Sequence, residues 1–157
     1  MTVPASRILP MVIAGCSRRK SAPPGPVPAL ELYQGGCIPA LRKVAETWPV
    51  LRARTWIISA EHGLLHASTP LLPYDRRMDR ARALRLRRLA DQALREEFSA
   101  HGLPCEVLVI AEPDYQLALT GLPALAGEDR VTWIDDPAGG WERAARILDC
   151  WRKRSCG

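Results

Sequence analysis

Met11-Val12-Ile13-Ala14-Gly15-Cys16-Ser17-Arg18-Arg19-Lys20 is an apolar run that breaks into a thiol, a hydroxyl and three cations. A second stretch repeats the plan, with Thr55-Trp56-Ile57-Ile58 leading into Ser59-Ala60-Glu61-His62-Gly63. Short apolar runs without alternation read as strands buried on both faces, the pattern of a parallel sheet. Val107-Leu108-Val109-Ile110-Ala111 and the shorter Val131-Thr132-Trp133-Ile134 read as a third and a fourth strand. Helical patterns lie between them. Residues 29–48 carry Leu30, Tyr33, Ile38, Leu41, Val44 and Ala45 near helical spacing, and Gly35-Gly36 divides them into two helices. Residues 78–98 set Leu84, Leu86, Leu89, Ala93, Leu94 and Phe98 on one broad stripe, which stops at Gly102 before Pro104. Residues 141–151 close the chain as an amphipathic helix. This alternation predicts an α/β fold: a single three-layer domain over residues 1–157, with a short, mostly parallel sheet of about four strands flanked by helices. Residues 1–10 and 152–157 read as flexible ends.

Composition bounds what such a domain does. At 157 residues and 47% hydrophobic, the chain supplies one core, burying about two thirds of its unfolded surface. No apolar run approaches the roughly 20 residues needed to span a bilayer, and no secretory pattern opens the chain, so a cytoplasmic location is expected. Cys16, Cys37, Cys105, Cys150 and Cys156 form an odd set without secretory context, which favours free thiols. No Cys-x-x-Cys pair is present, and no metal is expected. Without a Walker loop or a Gly-x-Gly-x-x-Gly turn, no standard nucleotide cofactor is expected either.

Charge concentrates in one segment. Residues 76–95 hold eight arginines against Asp79 and Asp91, a net +6 where the whole chain carries +5. Such a helix neutralises phosphates in a salt-dependent way, with Arg77, Arg80, Arg85 and Arg88 as the expected nucleic-acid contacts. A solvated helix face is the plain alternative.

In an open parallel sheet, ligands sit at the carboxyl ends of the strands, which gathers the two polar clusters at one edge. Cys16 precedes three cations, a setting that favours a thiolate able to attack an electrophilic carbon, for example that of a nitrile. His62, before Gly63 in a tight turn, is the candidate for proton transfer. Asp75, after Pro73-Tyr74, orients His62, acts as acid or base, or caps the arginine-rich helix. Ser17 and Lys20 are expected to hold an anionic group. Ser59, Glu61, Gly63, Tyr33, Tyr74 and Tyr115 are expected to line the substrate site, Tyr115 with helix packing as its favoured alternative. Cys16 as a small buried residue and His62 bonded to its own turn are the structural alternatives. Cys37 is a conceivable partner for Cys16, and His66 and His101 read as surface residues.

Several motifs occur together in order: Gly15-Cys16-Ser17-Arg18-Arg19-Lys20, Leu32-Tyr33-Gln34-Gly35, Arg42-Lys43-Val44-Ala45-Glu46, Ser59-Ala60-Glu61-His62-Gly63-Leu64-Leu65 and Pro73-Tyr74-Asp75. This set resembles small, mostly uncharacterised bacterial and phage domains. Those domains are similar to the YaaA peroxide-stress proteins, to the non-barrel domain of archaeosine synthase and to the nitrile-hydrating component of 7-deazaguanine DNA-modification systems. Tyr115 and Asp136-Pro137-Ala138-Gly139-Gly140 are looser counterparts of a tyrosine and a glycine-rich turn, and Glu61 stands where lysine is more usual. The resemblance implies a connection to modified purines. The expectation is an enzyme acting on a purine-like or 7-deazapurine base, free or within a nucleotide or nucleic acid, that hydrates or hydrolyses a base substituent through Cys16. Two alternatives stay open: a nucleic-acid-binding stress-response module without catalysis, and N-glycosidic cleavage or transfer using Glu61, Asp75 or Glu112.

Overall fold

The computed structural model describes residues 9–155. Its centre is β1 (Met11–Gly15), a strand buried along its whole length because every residue is small or apolar. On one side β1 pairs in parallel with β3 (Thr55–Ser59), and on the other with β6 (Val107–Ile110), which pairs in turn with β7 (Val131–Ile134). A fifth strand, β4 (Gly63–His66), runs antiparallel to β3 at the edge, giving the order β4-β3-β1-β6-β7. In the sequence Gly63-Leu64-Leu65 reads as a continuation of the second strand, with a proline-containing loop after it. Gly63 adopts a φ of +74°, which lets the chain reverse after three residues and return as a hairpin. Two short strands, β2 (Val27–Pro28) and β5 (Pro70–Leu71), pair with each other outside this sheet.

Helices cover both faces. Val12 and Ala14 point to a core shared with α1 (Ala29–Leu32), α2 (Ile38–Glu46), α3 (Pro49–Ala53) and α7 (Trp141–Ser155). Met11 and Ile13 point to the opposite core, filled by α4 (Arg80–His101), the turn at Leu117–Leu119 and α6 (Leu122–Ala126). The short α5 (Pro113–Gln116) follows β6. Residues 29–48 form two helices, α1 and α2, on either side of Gly35-Gly36, and Pro49 opens the further helix α3 after Trp48. α4 begins at Arg80 rather than 78 because Asp79, not Asp75, caps it, its Oδ1 accepting from the Arg82 amide at 2.7 Å. Of the expected ends, residues 1–8 and 156–157 lie outside the described residues, while 152–155 continue α7. Among the described residues no helix is long and apolar enough to cross a membrane.

The chain winds from β1 outward to β3 and then crosses back to β6. The strand order therefore reverses between β1 and β6, and in open α/β sheets the ligand crevice lies at the carboxyl ends of the strands at such a reversal. Cys16 follows β1, and α5 follows β6.

Candidate functional site

The segment after β1 is held by backbone pairing. Lys20 and Tyr33 form an antiparallel bridge, flanked by bonds from Ser21 N to Leu32 O and from Gln34 N to Arg19 O, each 2.8 Å. Ser17 Oγ donates to Arg19 O at 2.8 Å and accepts from Gly35 N at 3.1 Å, so it ties two loops together. A Cβ on Gly35 would stand 3.1 Å from that of Ser17, which makes a side chain there a crowding one. Arg42 fixes the other strand of this pair through Leu30 O at 2.9 Å and Tyr33 O at 2.6 Å. Tyr33 is thereby carried, fully buried, beneath the crevice.

The turn after β3 is organised by Ser59 and by α4. Ser59 Oγ accepts from the amides of Glu61 at 3.2 Å and His62 at 3.1 Å. Arg82 reaches back from the first turn of α4 to Ala60 O at 2.8 Å and Glu61 O at 2.9 Å, and Arg76 pairs with the Glu61 carboxylate at 3.5 Å. Of the arginine-rich segment, Arg82 faces inward; Arg77, Arg80, Arg85 and Arg88 are exposed.

Tyr74 joins the two halves. Its hydroxyl lies 2.5 Å from that of Tyr33 and 2.6 Å from Ser59 Oγ. Its ring meets His62 edge to face at 5.2 Å, and the Lys20 ammonium sits 4.5 Å from its centroid. From the β6 side, the Cys16 thiol donates to the Tyr115 hydroxyl at 3.3 Å. Gly15 makes this contact reachable: a Cβ there would press on Ala111 at 3.2 Å and approach the Tyr115 ring at 3.7 Å. Gln116, bonded to Ala111 O and Asp135, anchors the turn that carries Tyr115.

The electrostatics follow from this packing. Burial pushes Tyr33 up to about 12, and it raises Tyr74 and Tyr115 above the ordinary phenol value as well. For Tyr74 and Tyr115 the next cause is negative charge at Cys16, and the same charge also raises Tyr33. All three phenols thus stay protonated and able to donate. Cys37, buried in the core under α2, is pushed up to about 12 by burial, which keeps it a neutral thiol.

The structure brings Cys16, Lys20, Tyr33, Ser59, His62, Tyr74 and Tyr115 into one cluster. His62 is exposed at its rim, Glu61 turns to Arg76, and Asp75 and Glu112 are exposed, with Glu112 close enough for its charge to act on Tyr115. His66 is half-buried rather than on the surface, bonded to Ala53 O and Ser68 and stacked edge-on with Trp56. Arg42 and Arg82 are the supports that the sequence reading missed. Arg82 lies four residues before the buried Leu86, on the flank of the apolar stripe, and that spacing is the signal that sets it apart from its neighbours. Among the described residues Cys16, Cys37, Cys105 and Cys150 are free, and no group of three or more His, Cys, Asp or Glu is placed to hold a metal ion.

In comparison with known proteins, a family model described as a family of unknown function (DUF6884) matches residues 11–133, a span that includes every member of this cluster. No curated protein matches the chain. No solved structure matches it.

Proposed function

The chain belongs to the DUF6884 family, whose description assigns no activity, and from the geometry of its own site we propose that it is an enzyme acting on a purine-like or 7-deazapurine base through a Cys16 thiolate. The observation that carries this reading is the position of Cys16 at the strand reversal, within hydrogen-bond reach of Tyr115 and ringed by protonated phenols. The choice of base draws on the motif resemblance to YaaA-like and 7-deazaguanine-modifying proteins.

The reaction is hydration of a nitrile on the base. Sulfur bonds to the nitrile carbon while the nitrogen takes a proton, and a thioimidate results. Tyr115, held protonated beside the sulfur, is positioned to supply that proton. Water then adds to the same carbon, the carbon–sulfur bond breaks, and the thiolate leaves an amide, one water being consumed. His62 at the exposed rim is the group to move protons between this water and solvent.

The test is incubation with nitrile-bearing purines and 7-deazapurines, read by intact-protein mass for the adduct and by product mass for the added water. Wild-type protein is expected to form both, and Cys16→Ala neither. Full turnover in Cys16→Ala overturns the reading.

A second reading has its own support. Arg77, Arg80, Arg85 and Arg88 are exposed and unpaired with any carboxylate among the described residues. This face suits a non-catalytic nucleic-acid-binding module in which the crevice holds a phosphate.

A further inference from the structure

The carboxyl-terminal helix α7 carries a second polar arrangement, away from the crevice. Arg143, Arg146, Ile147, Cys150 and Arg154 fall at i, i+3, i+4, i+7 and i+11, the spacing of one helix face. That face borders Thr132 of β7, the edge strand of the sheet, and the two enclose an open cavity of about 320 Å³, within the range of small-molecule sites. The three guanidinia on this wall are not equivalent. Glu106, just before β6, accepts from Arg154 at 3.0 Å and from the Trp151 indole N–H, and it is the cavity's one carboxylate among the described residues. Asp149, three residues from Arg146, bonds Lys153 at 2.9 Å instead. Arg143 and Arg146 have no carboxylate or hydrogen-bond partner among the described residues, and neither does the hydroxyl of Thr132 on the β7 side.

Two like charges three residues apart on a helix repel, and no group of the protein offsets this pair. A carboxylate engages one guanidinium fork, whereas a phosphate dianion offers oxygens to both. Beside them Ile147, half-buried, and Trp151, buried, give the same cavity an apolar wall. A bare phosphate leaves that wall wet, and an organic one covers it. We infer that the groove between α7 and β7 binds a small organic phosphate monoester, its phosphate held by Arg143 and Arg146 with Thr132 as a further donor, and its apolar body against Ile147 and Trp151. The groove shares no residue with the Cys16 cluster, so it stands or falls apart from the nitrile chemistry.

Cys150 stands on the cavity wall and is exposed, so its alkylation by iodoacetamide reads occupancy. The reagent is neutral; a carbon–sulfur bond forms, and iodide and the thiol proton leave. Peptide-resolved mass spectrometry follows Cys150 and Cys16 in the same sample. Phenyl phosphate at about ten times its Kd is expected to slow Cys150 about tenfold and to leave Cys16 unchanged. Inorganic phosphate or phenol at the same concentration protects much less. Arg143→Gln with Arg146→Gln, both exposed side chains, keeps the fold and abolishes the protection. Arg85→Gln with Arg88→Gln removes the same charge elsewhere and keeps the protection. The inference is overturned if phenyl phosphate leaves Cys150 unprotected at every concentration, protects only Cys16, or protects the two double variants equally. Equal protection by inorganic phosphate also overturns it, since the apolar wall then reads nothing. Protection by an oligothymidylate alone overturns it in favour of a nucleic-acid backbone. Failure of the nitrile reaction moves none of these outcomes.

Discussion

The crevice at the end of β1 and the outer face of α4 are both polar, and they are built by opposite rules. In the crevice, hydroxyls bond to one another and to backbone amides, and a guanidinium holds the carbonyls of the same turn, so each group's orientation depends on its neighbour's. On α4, Arg80, Arg85, Arg87, Arg88 and Arg95 stand exposed with no carboxylate partner among the described residues. The first arrangement responds to the loss of a single atom. The second acts only as a sum, and salt screens it. Arg82 belongs to the second by sequence and to the first by contact, which makes the helix itself the place to test the contrast.

The largest effect is expected there. Arg82→Ala strands the carbonyls of Ala60 and Glu61, the first of them on a buried residue. Losing hydrogen bonds from a charged donor costs about 1.5–3 kcal/mol, or a fall of roughly 4–10 °C in Tm for a chain of this size. Arg85→Ala, three residues along the same helix, is expected to move Tm by no more than about 2 °C. Differential scanning calorimetry on the two proteins decides this, and equal shifts erase the contrast.

Next comes the buried phenol. Tyr33 ionises near 10 in the unfolded chain and at about 12 in the folded one. Below pH 10 both forms are protonated and its contribution to stability is intact. Between those values only the unfolded chain ionises, so stability drains away as pH rises through the window. At pH 11 the loss from this one group is about 1.4 kcal/mol. Urea denaturation at pH 8 and pH 11 is therefore expected to show a smaller gap in Tyr33→Phe than in the wild type, by about that amount. The wild-type decline starts earlier, near pH 9, because the buried Cys37 thiol behaves in the same way.

What could be read from the sequence tracks how local each signal is. The four parallel strands were legible because burial on both faces leaves a continuous apolar run, and that run is the whole signal. β4 was not, since a four-residue edge strand behind a glycine turn looks like the end of its neighbour. Cys16, Ser59 and His62 could be picked out as strand-end polar groups. Their connection could not, because Tyr33 and Tyr74 are 41 residues apart and Cys16 and Tyr115 are 99 apart. Tyr115 read as helix packing for the same reason. Only the close approach of β1 to β6 at Gly15 turns its hydroxyl into a partner for the thiol. A cap on the arginine-rich helix was read only at Asp75, and Asp79 caps instead because it stands three residues before the amide it accepts from.

The smallest change in stability and the clearest change in salt dependence are expected from the same variant, Arg85→Glu with Arg88→Glu. Both side chains are exposed and the intervening Leu86 stays in the core, so unfolding free energy moves by no more than about 0.5 kcal/mol per site. If the α4 face binds phosphates, each neutralised phosphate contributes about 0.9 to the slope of log affinity against log salt for duplex DNA. Removing two such contacts lowers that slope by about 2, measurable by fluorescence anisotropy of a labelled duplex between roughly 50 and 200 mM salt. The charge reversal also weakens affinity at every salt concentration, and it does so alike for unrelated sequences, since nothing on this face reads base edges. An unchanged slope means the arginines only solvate the helix. The crevice is then the one polar region of the pair with a ligand to explain, and the binding-module reading falls while the Cys16 chemistry is left intact.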